Sequence, residues 1–406
     1  MDTGSPCSLS LSLLLAVAAG APSRGAVVDP NVAPFFIYPE PELNTATLLE
    51  VCNLAQIQLD LHRIHATHYV IADAEFIKHI EPLEGRVEDP AAASWFVIPF
   101  SVGLSRAYDG VCGSHLDRLN QALDVLESSP WFQRRQGRDH PWVTMSHWMF
   151  LKTKRSYPMQ AFPVARFGVL RNMVLGRYAT SRLGINDTVY GFRPTLHWYS
   201  PYLGYGEQWR CTLLLPTKSF QLAWLADMPF EDWRRRPVSI YFRGNPRQVW
   251  GRRGDDLRDK AKPLMSVIPG ANILGGGKVP AETYAEELQS SKFCLILQSD
   301  DPQISRFYDA LAAGCIPVVV NDEFLLNAAP FADRLNYLGF ALHIPESQFS
   351  DFPALVMHLT YNMQEARLRS MLAALLEARQ ILLWSHPQSR TAAWALSEAS
   401  HTCSHD

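Results

Sequence analysis

Residues 290–322 read SSKFCLILQSDDPQISRFYDALAAGCIPVVVND, and this stretch gives the clearest indication of the fold. The apolar run at 293–297 predicts a buried strand, and the apolar run at 316–320 predicts a second one. A short helix is expected between them, with Gly314 as its left-handed cap. The stretch is therefore a compact βαβ unit. In such units a ligand lies beyond the carboxyl ends of the strands, near the positive N-terminus of a helix.

Two charged residues of this helix are candidates for a binding site. Arg306 and Asp309 are three residues apart and are therefore neighbours on one helix face. An arginine in the first turn suits a diphosphate, because its planar guanidinium forms paired hydrogen bonds. A carboxylate one turn later can accept hydrogen bonds from ribose hydroxyls. The alternative is an exposed ion pair between the two side chains, and the spacing alone does not decide between them.

The same alternation of apolar runs and helical patterns extends outward over most of the chain. Runs such as 95–100 and 212–215 are typical of buried strands, and the alternation resumes at 238–242. A charged, turn-prone stretch at 230–237 lies between the halves, so we place a domain boundary near 225–236. Continuous apolar strands separated by helices predict the α/β class, with parallel sheets covered on both faces.

Composition excludes several classes of protein. The chain has 406 residues, with 37 Lys+Arg against 40 Asp+Glu, a formal net charge of −3, and 47% hydrophobic residues. Near-neutral charge argues against a nucleic-acid partner, and the apolar content argues against disorder as the dominant state. No run of 18 apolar residues exists, which excludes a multi-span membrane protein. At about 150 residues per domain, the length allows two or three domains.

The N-terminus indicates a route through the secretory pathway. Residues 9–21 are apolar or small and have the length of a signal-peptide core, although no positive residue precedes them. We expect a signal peptide or short signal-anchor over 1–25, with a transit peptide as the alternative. Asn186 lies in a glycosylation sequon. The seven cysteines are scattered without a CxxC pair, which argues against a zinc ribbon and leaves room for one or two disulfides.

Six segments of the chain, read in order, carry a family resemblance. They are Phe36-Ile37-Tyr38, the stretch from Asp89-Pro90 to Phe100, Gly137-Arg138-Asp139-His140, Phe242-Arg243-Gly244, Ser305-Arg306 with Asp309-Ala310-Leu311, and Gly314-Cys315-Ile316-Pro317. Together they resemble the exostosin-like glycosyltransferases (glycosyltransferase family 47), over about residues 35–345. The sequence departs from that family at Ser299, where a glycine is usual, and at Ser146-His147-Trp148, where a His-Asp pair is common.

The resemblance implies a GT-B fold, in which two Rossmann-like domains face a cleft. Residues 30–228 would form the acceptor-binding domain and residues 236–345 the nucleotide-sugar-binding domain. C-terminal helices and a loose tail would follow over 346–406. The implied activity is inverting transfer of a sugar from a nucleotide sugar, expected to be a UDP-sugar, to a polysaccharide or glycoprotein glycan. Because of the departures, a catalytically weak or inactive member that serves as a glycan-binding or scaffold subunit is the rival hypothesis.

The resemblance also implies a donor site in the second domain. Ser305, Arg306 and the helix N-terminus would hold the diphosphate, and Asp309 would hold the ribose. Arg243 and Gly244, at the end of a strand, could add a charge and a close backbone approach. A plain strand-ending turn is the alternative for this pair.

In the first domain, the resemblance makes His140 the candidate base for the attacking hydroxyl, oriented by Asp139. The alternative is that these two residues hold a loop together. No metal is expected, because positive side chains and a helix dipole replace it. Asp73-Ala74-Glu75 could mimic a metal-binding Asp-x-Asp motif, but in register with the family it falls within a helix. The resemblance further places the protein in the Golgi lumen, with membrane anchoring by the N-terminus and homo- or heterodimerisation left open.

Overall fold

The computed structural model describes residues 30–44, 47, 50, 72–107, 110, 113–143, 172–177, 211–217, 228–244, 255–275, 277, 279–298 and 303–403. The expected signal segment 1–25, the sequon at Asn186, His147 and Ser299 lie outside this part of the chain.

Five short strands within the described residues form a two-stranded and a three-stranded parallel sheet, which together we call the first sheet. They are β1 Phe35–Ile37, β2 Trp95–Val97, β3 Pro141–Val143, β4 Val174–Arg177 and β5 Cys211–Leu214. Strand β1 pairs with β2, and β4 pairs with both β3 and β5. The backbone N–H of Phe96 donates to the carbonyl of Asp139 at 2.9 Å, and this bond joins β2 to β3. The strands therefore lie side by side in chain order.

Five further described strands form the second sheet, and all of them are parallel. They are β6 Val238–Gly244, β7 Asn272–Gly275, β8 Ser291–Leu297, β9 Ile316–Val320 and β10 Leu342–His343. Their order is β10-β9-β8-β6-β7, so the first strand of this half lies between the second and the third. The direction of winding thus reverses between β6 and β8. In open α/β sheets, ligands bind outside the carboxyl ends of the strands at such a switch point.

Helices follow or connect the strands. The described α-helices are α1 Ala72–Ile80, α2 Val102–Ala107, α3 His115–Ser128, α4 Pro130–Arg135, α5 Phe230–Arg234, α6 Asp255–Ser266, α7 Ala281–Gln289, α8 Ser305–Ala312, α9 Phe352–Tyr361, α10 Glu365–Leu382 and α11 Thr391–Thr402. Short 3-10 turns lie at Pro41–Leu43, Pro90–Ala92, Tyr337–Gly339 and Glu346–Asp351, and a π turn lies at Phe324–Ala328.

The βαβ unit predicted from residues 290–322 is present as β8, α8 and β9. All five residues of β9 are buried, as expected for a strand in a sheet covered on both faces. Gly314 ends α8 with a φ of +60°, and a Cβ there would lie 2.7 Å from Cε of Met228. The left-handed backbone conformation therefore favours glycine at this turn, whereas the flexible end of Met228 could shift to make room. The predicted α/β class with parallel sheets is confirmed.

The C-terminal segment differs from the predicted loose tail. Residues 391–402 form α11, in which Trp394 is buried. The indole N–H of Trp95 on β2 donates to the Ser400 hydroxyl at 2.8 Å, and a disulfide joins Cys211 on β5 to Cys403. These contacts fix the segment to the first sheet through partners far away in sequence, which its polar composition does not reveal.

A second disulfide joins Cys294 on β8 to Cys315, which directly precedes β9. These two disulfides are the ones that the described part of the chain contains. No helix in the described part of the chain is long and apolar enough to cross a membrane.

Candidate functional site

The candidate site lies at the carboxyl edge of the second sheet, where β6 ends and α8 begins. Gly244 is the last residue of β6. A Cβ built on Gly244 would lie 2.7 Å from Cζ of Phe242 and 3.4 Å from Nη1 of Arg306. Arg306, in the first turn of α8, therefore reaches back across the switch point to the end of β6. The absent side chain of Gly244 leaves the room for this close approach.

Arg306 carries a hydrogen-bonding group that is not satisfied. Its Nη1 is buried and has no hydrogen-bond partner within the described residues, and its Cζ lies 5.9 Å from the centroid of the Phe242 ring. A buried donor to which no acceptor is bound is costly, and a charged one more so. The exposed ion pair with Asp309, our alternative from the spacing, is wrong, because Asp309 is fully buried. The guanidinium is thus available for an anionic ligand.

The N-terminus of α8 adds to this positive character. Ser305 is the first residue of the helix, and the preceding Ile304 supplies no side-chain hydrogen bond to the first turn. The N–H groups of that turn therefore lack the usual side-chain cap, and such groups attract anions.

Asp309 lies one turn further along α8 and faces α7. Its Oδ2 accepts a hydrogen bond from the hydroxyl of Tyr284 at 3.2 Å. Burial raises the pKa of Tyr284 well above its usual value, and the neighbouring Asp309 carboxylate raises it further. The phenol therefore stays protonated and donates a hydrogen bond to Asp309. This contact ties α8 to α7, and the ribose contact of Asp309 stays a prediction.

Arg243 is already engaged by a carboxylate. Its Nε lies 2.8 Å from Oε2 of Glu287 on α7, and its Nη2 bonds to Oε1 of the same carboxylate. The Tyr241 hydroxyl also donates to Oε2 of Glu287, at 2.5 Å. Burial alone would raise the pKa of Glu287, but the hydrogen bonds from Arg243 and Tyr241 outweigh it and lower that pKa. The charge of Arg243 is therefore balanced by Glu287, whereas the charge of Arg306 is not balanced by an ion pair within the described residues.

His140 and Asp139 lie directly before β3, and both side chains are fully buried. Nδ1 of His140 lies 2.8 Å from Oδ1 of Asp139, and Nε2 lies 2.7 Å from the hydroxyl of Tyr38. Because an ionised carboxylate only accepts, Nδ1–H donates to Asp139 and Nε2 accepts from Tyr38. Arg134 donates to the second oxygen of Asp139 at 2.9 Å. Both ring nitrogens are thus occupied.

The surroundings of His140 keep the imidazole neutral. Its ring stacks on Phe96 with centroids 5.1 Å apart and meets Phe132 edge-on at 4.9 Å. Burial lowers the pKa of His140, although the Asp139 carboxylate acts in the opposite direction. Enclosure on all these sides favours our second interpretation, in which Asp139 and His140 hold the start of β3 against β1 and β2.

The Asp73-Ala74-Glu75 segment lies in α1, as predicted from its register with the family. Asp73 is fully buried and accepts hydrogen bonds from the Ser101 hydroxyl at 2.7 Å and the Gly103 N–H at 2.9 Å. Its carboxylate therefore serves the N-terminus of α2. Over the part of the chain that the structure describes, no three His, Cys, Asp or Glu side chains come together as a metal site.

Sequence reasoning missed Glu287 and Tyr241 as members of this edge. Tyr241 and Arg243 are two apart on β6 and share one face of the sheet, which is a signal that could have paired them. Glu287 is 44 residues from Arg243, and no local pattern connects the two.

Parallel α/β sheets, the last of them with a cationic switch point at its carboxyl edge, define the class as an α/β protein with a candidate anion-binding site. The family model described as "Exostosin GT47 domain" matches residues 31–359, and the chain belongs to this family of glycosyltransferases.

Individual relatives carry the names of several transferases. The chain is 22% identical to "Probable arabinosyltransferase ARAD1" of Arabidopsis thaliana, over 64% of this chain and 51% of that protein. It is 30% identical to "Exostosin-2" of Bos taurus over 23% of this chain and 12% of that protein. It is 33% identical to "Probable glucuronosyltransferase GUT1" of Oryza sativa subsp. japonica over 26% of this chain and 24% of that protein. The chain thus spans about half the length of the first of these relatives, and less of the others.

Proposed function

We propose that the protein transfers a sugar from a nucleotide sugar, a UDP-sugar, to a hydroxyl group of a polysaccharide or glycoprotein glycan. The single observation that carries this proposal is the buried, unpartnered Nη1 of Arg306 at the switch point of the second sheet. A buried cationic donor beside an uncapped helix N-terminus fits a diphosphate, which offers several acceptor oxygens and negative charge. Family membership supports the same reaction class.

In the proposed reaction the acceptor hydroxyl oxygen attacks the anomeric carbon from the face opposite the diphosphate. A bond forms between that oxygen and the anomeric carbon, and the bond from the anomeric carbon to the diphosphate oxygen breaks. The diphosphate leaves with the electron pair, the acceptor proton passes to a base, and the configuration inverts. Negative charge develops on the leaving oxygen, so Arg306 and the first turn of α8 would stabilise the transition state more than the ground state.

The residues of the proposed site divide into those that touch the donor and those that hold them. Arg306 and the N-terminus of α8 at Ser305 would bind the diphosphate, with Gly244 leaving room for its approach. Arg243 forms a salt bridge with Glu287 that holds β6 against α7. We assign His140 and Asp139 to positioning in the acceptor domain, because their polar atoms already bond to each other and to Tyr38 and Arg134.

We further propose that the protein works in the lumen of the secretory pathway, in the Golgi, with its N-terminal segment as signal or anchor. The Cys211–Cys403 and Cys294–Cys315 disulfides support this, because such bonds persist in oxidising compartments. The reaction is proposed to need no metal ion, since Arg306 and the helix dipole supply the positive charge. Dimerisation stays a prediction.

A UDP-release assay tests the proposed function. Purified protein is supplied with UDP-glucose, UDP-galactose, UDP-glucuronic acid, UDP-xylose or UDP-arabinose, together with glycan acceptors, in the presence and absence of EDTA. Release of UDP from a donor in both conditions is the expected result. Protein that binds glycans but releases no UDP would instead support the rival, a glycan-binding or scaffold subunit. Activity abolished by EDTA and restored by a divalent cation would overturn the metal-independent mechanism.

A further inference from the structure

Among the buried polar atoms that have no hydrogen-bond partner in the described part of the chain, two belong to residues that contact Tyr308 on α8. They are Oγ1 of Thr217 and Nε2 of Gln303. Their residues are only 2% and 4% exposed. Leaving such a group unpaired is costly. A single ligand group that satisfied both atoms would need donor and acceptor capacity.

The residues that carry these two atoms both bond to the hydroxyl of Tyr308 on α8. The Tyr308 hydroxyl donates a hydrogen bond to Oε1 of Gln303 at 3.1 Å. It accepts a hydrogen bond from the backbone N–H of Thr217. The first contact fixes the orientation of the amide, because its oxygen is taken by Tyr308 and its NH₂ group is the end left over. Tyr308 is itself fully buried, so the whole arrangement is held by packing.

The pair joins the carboxyl edges of both sheets. Thr217 follows the end of β5 by three residues, and Gln303 precedes the first residue of α8 by two. Gln303 is also three residues from Arg306. Atoms at this place lie between the proposed acceptor domain and the first turn of the helix at which the diphosphate would bind.

We propose that Thr217 and Gln303 together recognise one hydroxyl group of the sugar being transferred, an inference that rests on the proposed function. A sugar hydroxyl can accept a hydrogen bond from Nε2 of Gln303 and donate its own proton to Oγ1 of Thr217, which satisfies both atoms at once. We assign this hydroxyl to the donor sugar, because that sugar is bonded directly to the diphosphate that Arg306 is proposed to bind. Sites built to pair with a substrate hydroxyl discriminate strongly against sugars that lack it.

Calorimetry with UDP and with the five UDP-sugars named above tests this role. In Thr217→Val and in Gln303→Met, the affinity for the UDP-sugar that the wild type binds tightest should fall by about fivefold or more, as expected for one lost hydrogen bond. Affinity for UDP itself should stay within about twofold, because UDP lacks the sugar. Thr217→Ser keeps the hydroxyl and should restore the wild-type preference. Thr391→Val, which alters a buried threonine bonded to Ser389 at the first residue of α11, is the matched control.

Thermal unfolding without ligand separates this role from a structural one. Thr217→Val removes an unpaired hydroxyl without changing volume, so the midpoint should stay unchanged or rise. A lower midpoint together with an unchanged preference among UDP-sugars would show that a buried water satisfies these atoms, and would overturn the inference. Loss of UDP and UDP-sugar affinity to the same extent would also overturn it. A wild type that binds neither UDP nor any panel member overturns the proposed function itself, whereas UDP binding with unaltered sugar preference in both variants removes only this inference.

Discussion

The hydroxyl of Tyr38 lies 2.7 Å from Nε2 of His140, across 102 residues of sequence. This contact completes a chain of hydrogen bonds that runs through His140 to Asp139 and Arg134. Every polar atom of the imidazole is used inside the first domain. His140 therefore contributes to stability, and its protonation state couples that stability to pH.

Acid should destabilise the protein through this buried pair. Burial lowers the pKa of His140 from its ordinary 6.5, so the folded state keeps the imidazole neutral where the unfolded chain binds a proton. The stabilisation is fully present above pH 6.5 and is lost as pH falls below it. The pKa of Asp139 is lowered as well: burial would raise it, but the bonds from His140 and Arg134 outweigh burial, so protonation at still lower pH adds to the loss. Denaturant unfolding at pH 7.5 and 5.5 measures the effect.

His140→Phe is the matched variant for this pH dependence. It keeps the aromatic packing on Phe96 and Phe132 but removes the titrating group. We expect lower stability than the wild type at pH 7.5, because Tyr38 and Asp139 lose a buried partner, and a flatter decline between the two pH values. An unchanged slope in the variant would show that other groups cause the acid sensitivity.

Tyr38→Phe should separate positioning from catalysis. The change removes the hydrogen bond to His140 and should lower the free energy of unfolding by about 1 kcal/mol. Turnover per folded molecule should stay near the wild-type value, because the account gives this chain of hydrogen bonds no contact with the reacting atoms. A large loss of kcat at unchanged stability would instead indicate that His140 is the catalytic base.

Replacing Arg236 by lysine should lower the stability of the protein. Its Nη1 donates to the carbonyls of Ser291 and Gly314, and its Nη2 donates to the carbonyl of Ala313, which caps the end of α8. A lysine ammonium lacks the planar fork that reaches these oxygens, so Arg236→Lys should lower the free energy of unfolding by roughly 2–3 kcal/mol. The neighbouring Arg235 side chain is 79% exposed, and Arg235→Lys is the control, expected to be near neutral. Equal effects of the two variants would contradict the capping role.

Breaking the Cys211–Cys403 disulfide should loosen α11. The bond closes a loop with a sequence separation of 192, and in the chain-entropy description long loops give the larger stabilisation, roughly 5 kcal/mol at this length. Hydrogen exchange of Cys403→Ser should show faster exchange in α11 than in the wild type. Cys315→Ser, which opens a loop with a separation of only 21, should leave α11 protected. Unchanged protection of α11 in Cys403→Ser would contradict a tethering role.

Local sequence patterns were enough to predict those elements whose residues contact others close in sequence. The βαβ unit around Arg306 follows from apolar runs and from Gly314, because each feature depends on neighbours within a few residues. Features whose partners are distant in sequence were not predictable. The pairing of Arg243 with Glu287 spans 44 residues and is set by the packing of α7 on the sheet.

Burial was the other property that composition concealed. Arg236 belongs to a charged run that indicates an exposed turn, yet it is only 8% exposed. Its guanidinium donates hydrogen bonds to three carbonyl oxygens, which makes this burial tolerable. His140 was a candidate base on its chemistry, but Phe96 and Phe132 enclose it. Charge and residue type predict what a group can do, whereas the packing decides whether a substrate can reach it.

Calorimetric titration of UDP into the wild type and into Arg306→Ala measures what Arg306 contributes to diphosphate binding. We expect UDP to bind to the wild type and the variant to lose roughly 1.5–3 kcal/mol of binding free energy, as for a lost charge-assisted pair. Arg369→Ala, a change in an exposed ion network of the α5–α10 surface, should bind UDP like the wild type. Equal UDP affinity in the wild type and in Arg306→Ala would contradict the assignment of the diphosphate to the carboxyl edge of the second sheet.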